Sequence, residues 1–476
     1  MFKRKYIITF CLPLTLLAVT GCESILDKEP TDRLSVEETF KDLDGVKTAL
    51  AGAYGSLMEI ETYNARLMLY PDVAAGNSHY INRQTDFLYE EYNFSQSAQE
   101  GTMQESYVSL YSTLNNVNNI IRYTPTTLYA TEKNKNRVLG EASTLRALIH
   151  FELVRLYARP YAHTADASHP GIVLSLKNRS YADPLPERAT VAETYAAIEE
   201  DLLNAIAFFG NSNAVFKGSS QYYFNASSAK ALLAKVYLYK GDWNKAYTYA
   251  NEVISSNQYQ LLPNSTYAAS WDAKNPSSES VFELAIGPEF SGTSLGSYYD
   301  VLDSRLTFAA TNDLLSLYSE TDVRGVKSLF NSKDINGTPH YFTRKYGKGG
   351  VNATNVKLLR LSEMYLIRAE AAAELNNLTQ ANQDLNLIRL RADTAAAELE
   401  ITDKPALLDA ILLERRKELA FEGNLHFDLM RRKQGISRTD CRAQVCSLPY
   451  EDDRLVLPLP KSTTDVNPKL KQNPGY

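Results

Sequence analysis

Residues 292–296 read Gly-Thr-Ser-Leu-Gly, the G-x-S-x-G spacing of a serine nucleophile. That motif works when a strand enters the turn, a helix leaves it, and a parallel sheet carries both. Here Pro288 and Ser291 place a loop before Ser294, and the surrounding periodicity is helical. The HExxH arrangement of metalloproteases is missing, and the 6 histidines form no ligand-like spacing. Glycoside hydrolysis needs two opposed carboxylates. With 56 acidic residues, spacing along the chain selects no pair. We expect no catalytic residue, no enzyme activity, no metal and no cofactor beyond a covalent lipid.

Binding is the better-supported chemistry. A ligand with apolar C–H faces and polar rims, such as a sugar, needs flat rings beside Asn, Asp, Gln and Arg. The chain has 31 tyrosines against 2 tryptophans. Residues 70–94, YPDVAAGNSHYINRQTDFLYEEYNF, set rings and rim groups side by side. The candidates there are Asp72, Asn77, His79, Tyr80 and Arg83, with Tyr89 and Tyr92 as platforms. A second aromatic block adds Trp271, Tyr298, Tyr299 and Arg305. The competing role for all these rings is packing, the usual fate of a large aromatic side chain.

The elements that would position them are mostly helical. Apolar spacing predicts helices over Val36 to Glu59 (opened by Ser35 and Glu38 as a capping box), Thr102 to Tyr123, Lys135 to Ala158 and Val191 to Phe209. In SSAKALLAKVYLYKGDWNKAYTYANEVISSNQY, a turn at Gly241-Asp242 joins two helices. Ala234, Tyr237, Ala246, Ala250 and Val253 stand at tetratricopeptide-repeat spacing. Ser362 to Ala392 repeats the pattern with Ala369, Ala372, Ala381, Leu385 and Ile388, and a further pair spans about Pro405 to Gln434. Plain helical hairpins are the simpler alternative. The expected fold is mainly α: a tetratricopeptide-like solenoid of four helix pairs, with a loop-rich half containing short strands. The pairs lie near 36–59/102–123, 135–158/191–209, 226–257 and 358–434. The irregular segments are 60–101 and 262–357, the second holding a strand from Val281 to Ile286. Arg415, Arg416 and Glu418 in LERRKELAFEG are expected to pair with neighbouring helices.

At the start, Lys3, Arg4 and Lys5 precede an apolar run that ends in Val19-Thr20-Gly21-Cys22. This is a secretory signal, residues 1–21, ending in a lipobox-like sequence. An ordinary signal with an incidental cysteine is the alternative. A lipidated Cys22 would tether the chain through residues 22–35. Removing residues 1–21 removes three positive charges and no acid, so the net charge falls from −6 to −9. Such a body is a poor match for nucleic acid, whose phosphates need basic patches. Cys441 and Cys446 in CRAQVC suit a short disulfide in an oxidising compartment; no histidine lies near enough to favour zinc.

Several of these stretches together resemble the SusD/RagB family of outer-membrane nutrient-binding lipoproteins. They are Cys22 followed by Glu23, Asp27 and Glu29, GVKTALAGAYGSL, STLRALIHFELVRLYARPY, RATVAETYAAIEEDL, ALLAKVYLYKGDWNKA, RLSEMYLIRAEAAAELNN, LERRKELAFEGNLHFDLMRR and NPKLKQNPGY. Ala158 and Arg159 depart from that family's usual Gly-rich helix end. The resemblance covers most of the chain from Cys22 to Tyr476 and is weakest over 60–101 and 262–357. It implies a surface-exposed, lipid-anchored outer-membrane protein that binds oligosaccharides. Its partner would be a SusC-like TonB-dependent transporter, to which it delivers them. Asp72 resembles a family position in the ligand site, and Arg83 is a second. A peptide-binding protein of the same architecture, or a structural tetratricopeptide adaptor, is the alternative.

Overall fold

The computed structural model describes residues 35–81, 87–99, 101–180, 182–285, 295–299, 307–347 and 354–476. The chain begins with α1 (Val36–Thr39) and α2 (Leu43–Ser56), where the spacing predicted one helix. Asp42 makes the break. Its side chain caps α2 by accepting from the amides of Asp44 and Gly45. A side chain at Gly45 would stand 1.8 Å from the Thr39 carbonyl, so the corner requires glycine. Ser35 caps α1 through the Glu38 amide.

The helices continue as α3 (Arg66–Ala75), α4 (Tyr89–Asn93), α5 (Thr102–Tyr123), α6 (Glu132–Tyr157), α7 (Val191–Phe209), α8 (Ala226–Lys240) and α9 (Trp243–Ser255). α7 opens with a complete capping box from Thr190 and Glu193. α8 ends at Gly241, whose φ of +77° reverses the chain, and Asp242 caps α9. The short helices α10 (Asn264–Tyr267), α11 (Asn312–Leu315) and α12 (Val326–Leu329) punctuate the irregular part. The last group is α13 (Leu361–Glu374), α14 (Leu378–Ala392), α15 (Lys404–Glu418), α16 (Leu425–Arg431) and α17 (Lys461–Val466).

Neighbours in sequence pack as neighbours in space: α2 on α5, α5 on α6, α6 on α7, α7 on α8, α8 on α9, then α9 on α13, and α13 on α14 and α15. Ala234 and Ala246 are fully buried, as close helix approach requires. One continuous core includes Phe40, Leu145, Val236, Phe282 and Leu459; a smaller one fills the space between α13, α14 and α15.

Strands come in antiparallel pairs: β1 (Ser78–Tyr80) with β3 (Phe308–Ala310), β2 (Ser280–Leu284) with β6 (Val356–Arg360), β4 (Phe330–Ile335) with β5 (Thr338–Thr343), and β7 (Ile436–Ser437) with β8 (Ser447–Leu448). The predicted strand is present one residue earlier than expected; Ile286 lies outside the described residues. Residues 457–476 clasp the helical body. The Asn473 amide donates to the carbonyls of Tyr157 (2.9 Å) and Leu457 (2.7 Å). Arg188 donates to the Asn473 oxygen at 2.7 Å.

Buried ion pairs bolt the helical half to β6. Arg360 donates to Glu279 (2.6 Å), Glu418 (2.9 Å) and both oxygens of Glu422 (2.8 Å each). Arg324 reaches Asp322, Glu414 and Glu418, and Arg391 reaches Glu279 and Glu418. Burial opposes the charge on Glu418. Arg391, Arg360 and Arg324 outweigh that opposition and hold its carboxyl well below the usual range. The charged run at the end of α15 is therefore structural, as its spacing suggested. Arg415 pairs with Asp428, and Arg416 with Asp313.

Candidate functional site

β1 follows α3 directly, and its alternation sends His79 and Tyr80 to opposite faces. On the Tyr80 face lies a ring cluster. Tyr80 meets Phe308 of β3 at 4.7 Å, Tyr92 at 5.2 Å and Tyr89 at 5.8 Å, all edge-on. Phe87 stacks on Tyr298 at 4.6 Å with an interplanar angle of 23°. Tyr298 in turn lies 6.3 Å from Phe308. Rings from both irregular segments thus join in one cluster. Tyr80, Tyr92 and Phe308 form its buried floor, whereas Phe87, Tyr89 and Tyr298 are half-buried and keep surface to offer.

On the other face, His79 sits 3.7 Å from Asp440 and 5.8 Å, ring to ring, from His340. Neither ring nitrogen of His79 has a hydrogen-bond partner. Burial, then the charge of Arg442, push its pKa down to about 4, so the ring is neutral at pH 7.

Asp72 and Asn77 have a different job from the one their types suggested. The Asp72 carboxylate is fully buried. It accepts from the amides of Phe421 (2.9 Å) and Gly423 (3.0 Å) and from the Asn77 side chain (2.7 Å). Asn77 accepts from Arg416 at 3.0 Å. Phe421 (φ +67°) and Gly423 (φ +71°) are both left-handed, so Asp72 pins a strained turn after α15. Burial pushes its pKa up to about 6 despite three donors. These two residues brace the scaffold beneath the rings, with no surface left for a ligand.

Trp271 is likewise interior. Lys357, Lys345 and Arg360 lie over its ring at 4.7, 4.9 and 5.4 Å, so it works as a cation–π hub of the ion-pair region. Tyr299 is buried between Tyr346 and Phe421. Cys22, Arg83 and Arg305 fall outside the described residues. Cys441 and Cys446 are joined by a disulfide.

Phe87 is the residue that sequence reasoning passed over. It was one aromatic among many in its segment, and only its stacking with Tyr298, 211 positions later, singles it out. Residues 292–294 of the serine motif lie outside the described residues; Leu295 and Gly296 open a short 3-10 turn (Leu295–Tyr299). Among the described residues, no group of three or more His, Cys, Asp or Glu side chains could hold a metal ion. The small cavities beside Arg155 measure about 20 and 30 Å³, room for a water but not for a sugar; two larger open hollows, of about 630 Å³ beside Gln96 and Lys461 and about 590 Å³ beside Glu59 and Glu105, carry one aromatic ring between them, that of Tyr476. The half-buried rings are the better candidate.

Comparison with known proteins is consistent along the chain. A family model described as "Starch-binding associating with outer membrane" matches residues 25–238, and the SusD family model matches residues 328–476. SusD-like protein P38 of Formosa agariphila is 26% identical, with 100% of each chain covered. SusD-like protein P2 of the same organism is also 26% identical, covering 99% of this chain and 100% of its own. Among solved structures, a SusD superfamily protein from Bacteroides thetaiotaomicron superposes with a TM-score of 0.82 at 28% identity. It covers 91% of this chain and 100% of its own. One from Bacteroides vulgatus gives 0.82 at 27% identity, covering 92% and 100%. With family models matching both its N-terminal and C-terminal parts, and full-length relatives between them, the chain belongs to the SusD/RagB family.

Proposed function

We propose that the protein is a surface-exposed outer-membrane lipoprotein, anchored by lipid on Cys22. It binds oligosaccharides and delivers them to a SusC-like TonB-dependent transporter. The observation that carries this reading is the joint ring face of Phe87, Tyr89 and Tyr298, drawn from two irregular segments and only half-buried. Stacked and edge-on rings that stay half-buried match the apolar side of a sugar ring. The family's "starch-binding" description agrees with that chemistry.

In this reading the helix pairs near 36–59/102–123, 135–158/191–209, 226–257 and 358–434 form a tetratricopeptide-like scaffold. The scaffold meets the transporter, and the segments 60–101 and 262–357 hold the ligand. The ion pairs around Glu418 keep the scaffold stiff, so that capture is expressed as movement of the whole body over the transporter.

Calorimetry against a panel of oligosaccharides tests the proposal. A ligand should appear whose affinity falls on Phe87→Ala or Tyr298→Ala. Binding of peptides with no glycan bound would overturn the sugar reading in favour of the peptide-binding alternative. Affinity capture from intact membranes should recover a large barrel protein with the wild type, and a Cys22→Ala variant should leave the membrane fraction.

A further inference from the structure

Beside the ring face sits a small loop closed by the Cys441–Cys446 disulfide, at the tip of the β7–β8 hairpin. We propose that this loop is a positioning clamp, which holds α4 and its rings in the geometry that receives the ligand. The proposal rests on the reading of Phe87, Tyr89 and Tyr298 as the ligand face.

α4 cannot hold that geometry alone. It has five residues, and a helix of one turn is unstable in isolation. Leu88 (φ +56°) before it and Phe94 (φ +51°) after it are both left-handed, a conformation unfavourable for side chains of their size. Its position has to be imposed from outside.

The loop imposes it through its backbone. The Arg442 amide donates to the Tyr92 hydroxyl at 3.2 Å, and the Gln444 amide donates to the Asn93 side-chain oxygen at 2.9 Å. On its other side, Asp440 accepts from the Asn312 amide at 2.8 Å, and Thr439 donates to Asp313 at 2.9 Å. Asn312 follows β3 closely, β3 pairs with β1, and Tyr80 of β1 meets Tyr89 and Tyr92. The loop therefore closes a circuit through α4, β1 and β3.

Arg438 explains why a covalent bond is needed there. Its side chain is buried, passing over Gly76, where a Cβ would stand 2.8 Å from the arginine Cγ. The guanidinium lies over the rings of Tyr92 (5.0 Å) and Phe94 (4.8 Å). It donates to the carbonyls of Tyr92 (2.8 Å) and Val445, while its Nε has no partner. No carboxylate compensates the charge among the described residues, and burial lowers its pKa to about 10. A buried cation without an anion gains by returning to water. Opening the loop would let it do so. The disulfide resists that opening and keeps the loop amides aimed at Tyr92 and Asn93.

The experiment is amide hydrogen exchange on the full chain, oxidised, reduced with dithiothreitol, and as Cys441→Ser/Cys446→Ser. Reduction should speed exchange at Tyr92, Phe94 and Ser95 at least about tenfold while α8 and α9 stay protected. Adding Arg438→Met to the double serine variant removes the outward pull and should restore protection, a rescue that simple loss of a structural cross-link would not give. For a glycan that the oxidised protein binds, reduction should weaken affinity about tenfold. Unchanged exchange at residues 92–95, or faster exchange with unchanged affinity, overturns the clamp. If the oxidised protein binds no glycan, the functional reading falls, and the exchange and rescue results still decide whether the loop holds α4.

Discussion

Glu418, at the end of α15, faces three guanidinium groups; Arg438, beside the ring cluster, faces no carboxylate among the described residues. Both are buried ions. In the helical half, buried ions face opposite charges: Arg324, Arg360 and Arg391 against Asp322, Glu279, Glu414, Glu418 and Glu422, even though the Arg391 Nε itself has no hydrogen-bond partner. Around the rings, polar groups are buried with their needs unmet. His79 has two unpaired ring nitrogens, one Glu91 oxygen has no donor, and Arg438 leans on carbonyls and π faces. Satisfied networks rigidify, and unsatisfied ones leave a region able to gain from new contacts. The difference separates a frame from the proposed ligand face.

The largest effect should come from attacking the frame. Glu418→Gln leaves guanidinium groups short of an anion and should lower the unfolding free energy by about 3–5 kcal/mol. Denaturant titration measures it, and a loss under about 1 kcal/mol would erase the distinction between the halves.

Next is a change on the ring side with opposite sign. Burial pushes the Glu91 carboxyl from 4.5 up to about 7. A raised carboxyl contributes stability that is complete below the unfolded value and is lost as pH rises through the folded one. The window is therefore about pH 4.5 to 7. Glu91→Gln mimics the neutral form and can still accept from the Met103 amide. It should stabilise the protein by up to about 3 kcal/mol at pH 7.5, with the gain vanishing towards pH 5. A variant that is equally stable relative to wild type at both pH values would contradict this.

Trp271→Leu tests which region that residue serves. It should cost about 2–4 kcal/mol in stability through lost packing and cation–π contact, and leave ligand affinity within about twofold. A selective loss of binding would move Trp271 to the other side of the comparison. The smallest effect is expected from Tyr298→Ala: about 1 kcal/mol in affinity, read by calorimetry, with the melting temperature nearly unchanged.

Helices with long, regular apolar spacing were readable from it. α5 and α7 run over the predicted residues, and in the structure a capping box of Thr190 and Glu193 opens the latter. The break between α1 and α2 was missed because apolar spacing continues through it; only the Asp42 cap and the contact at Gly45 reveal the corner. The ring chemistry of 70–94 was legible as residue type, but burial was not. Asp72 looks like a rim group until Phe421 and Gly423, 349 and 351 residues away, are seen donating to it. Trp271 looks like a platform until Lys345, Lys357 and Arg360 surround it. Long-range partners decide such cases, and periodicity carries no trace of them.

The clasp made by residues 457–476 has a consequence for how the chain is made. Asn473 and the Tyr157 carbonyl it fastens are 316 residues apart. Contacts of such separation form late, because a long loop must close first. Helices from the first third of the chain therefore wait for a partner that is synthesised long after them, and the body cannot lock while that segment is still missing. A buckle that shuts last leaves the polypeptide open to threading until its final segment has been made.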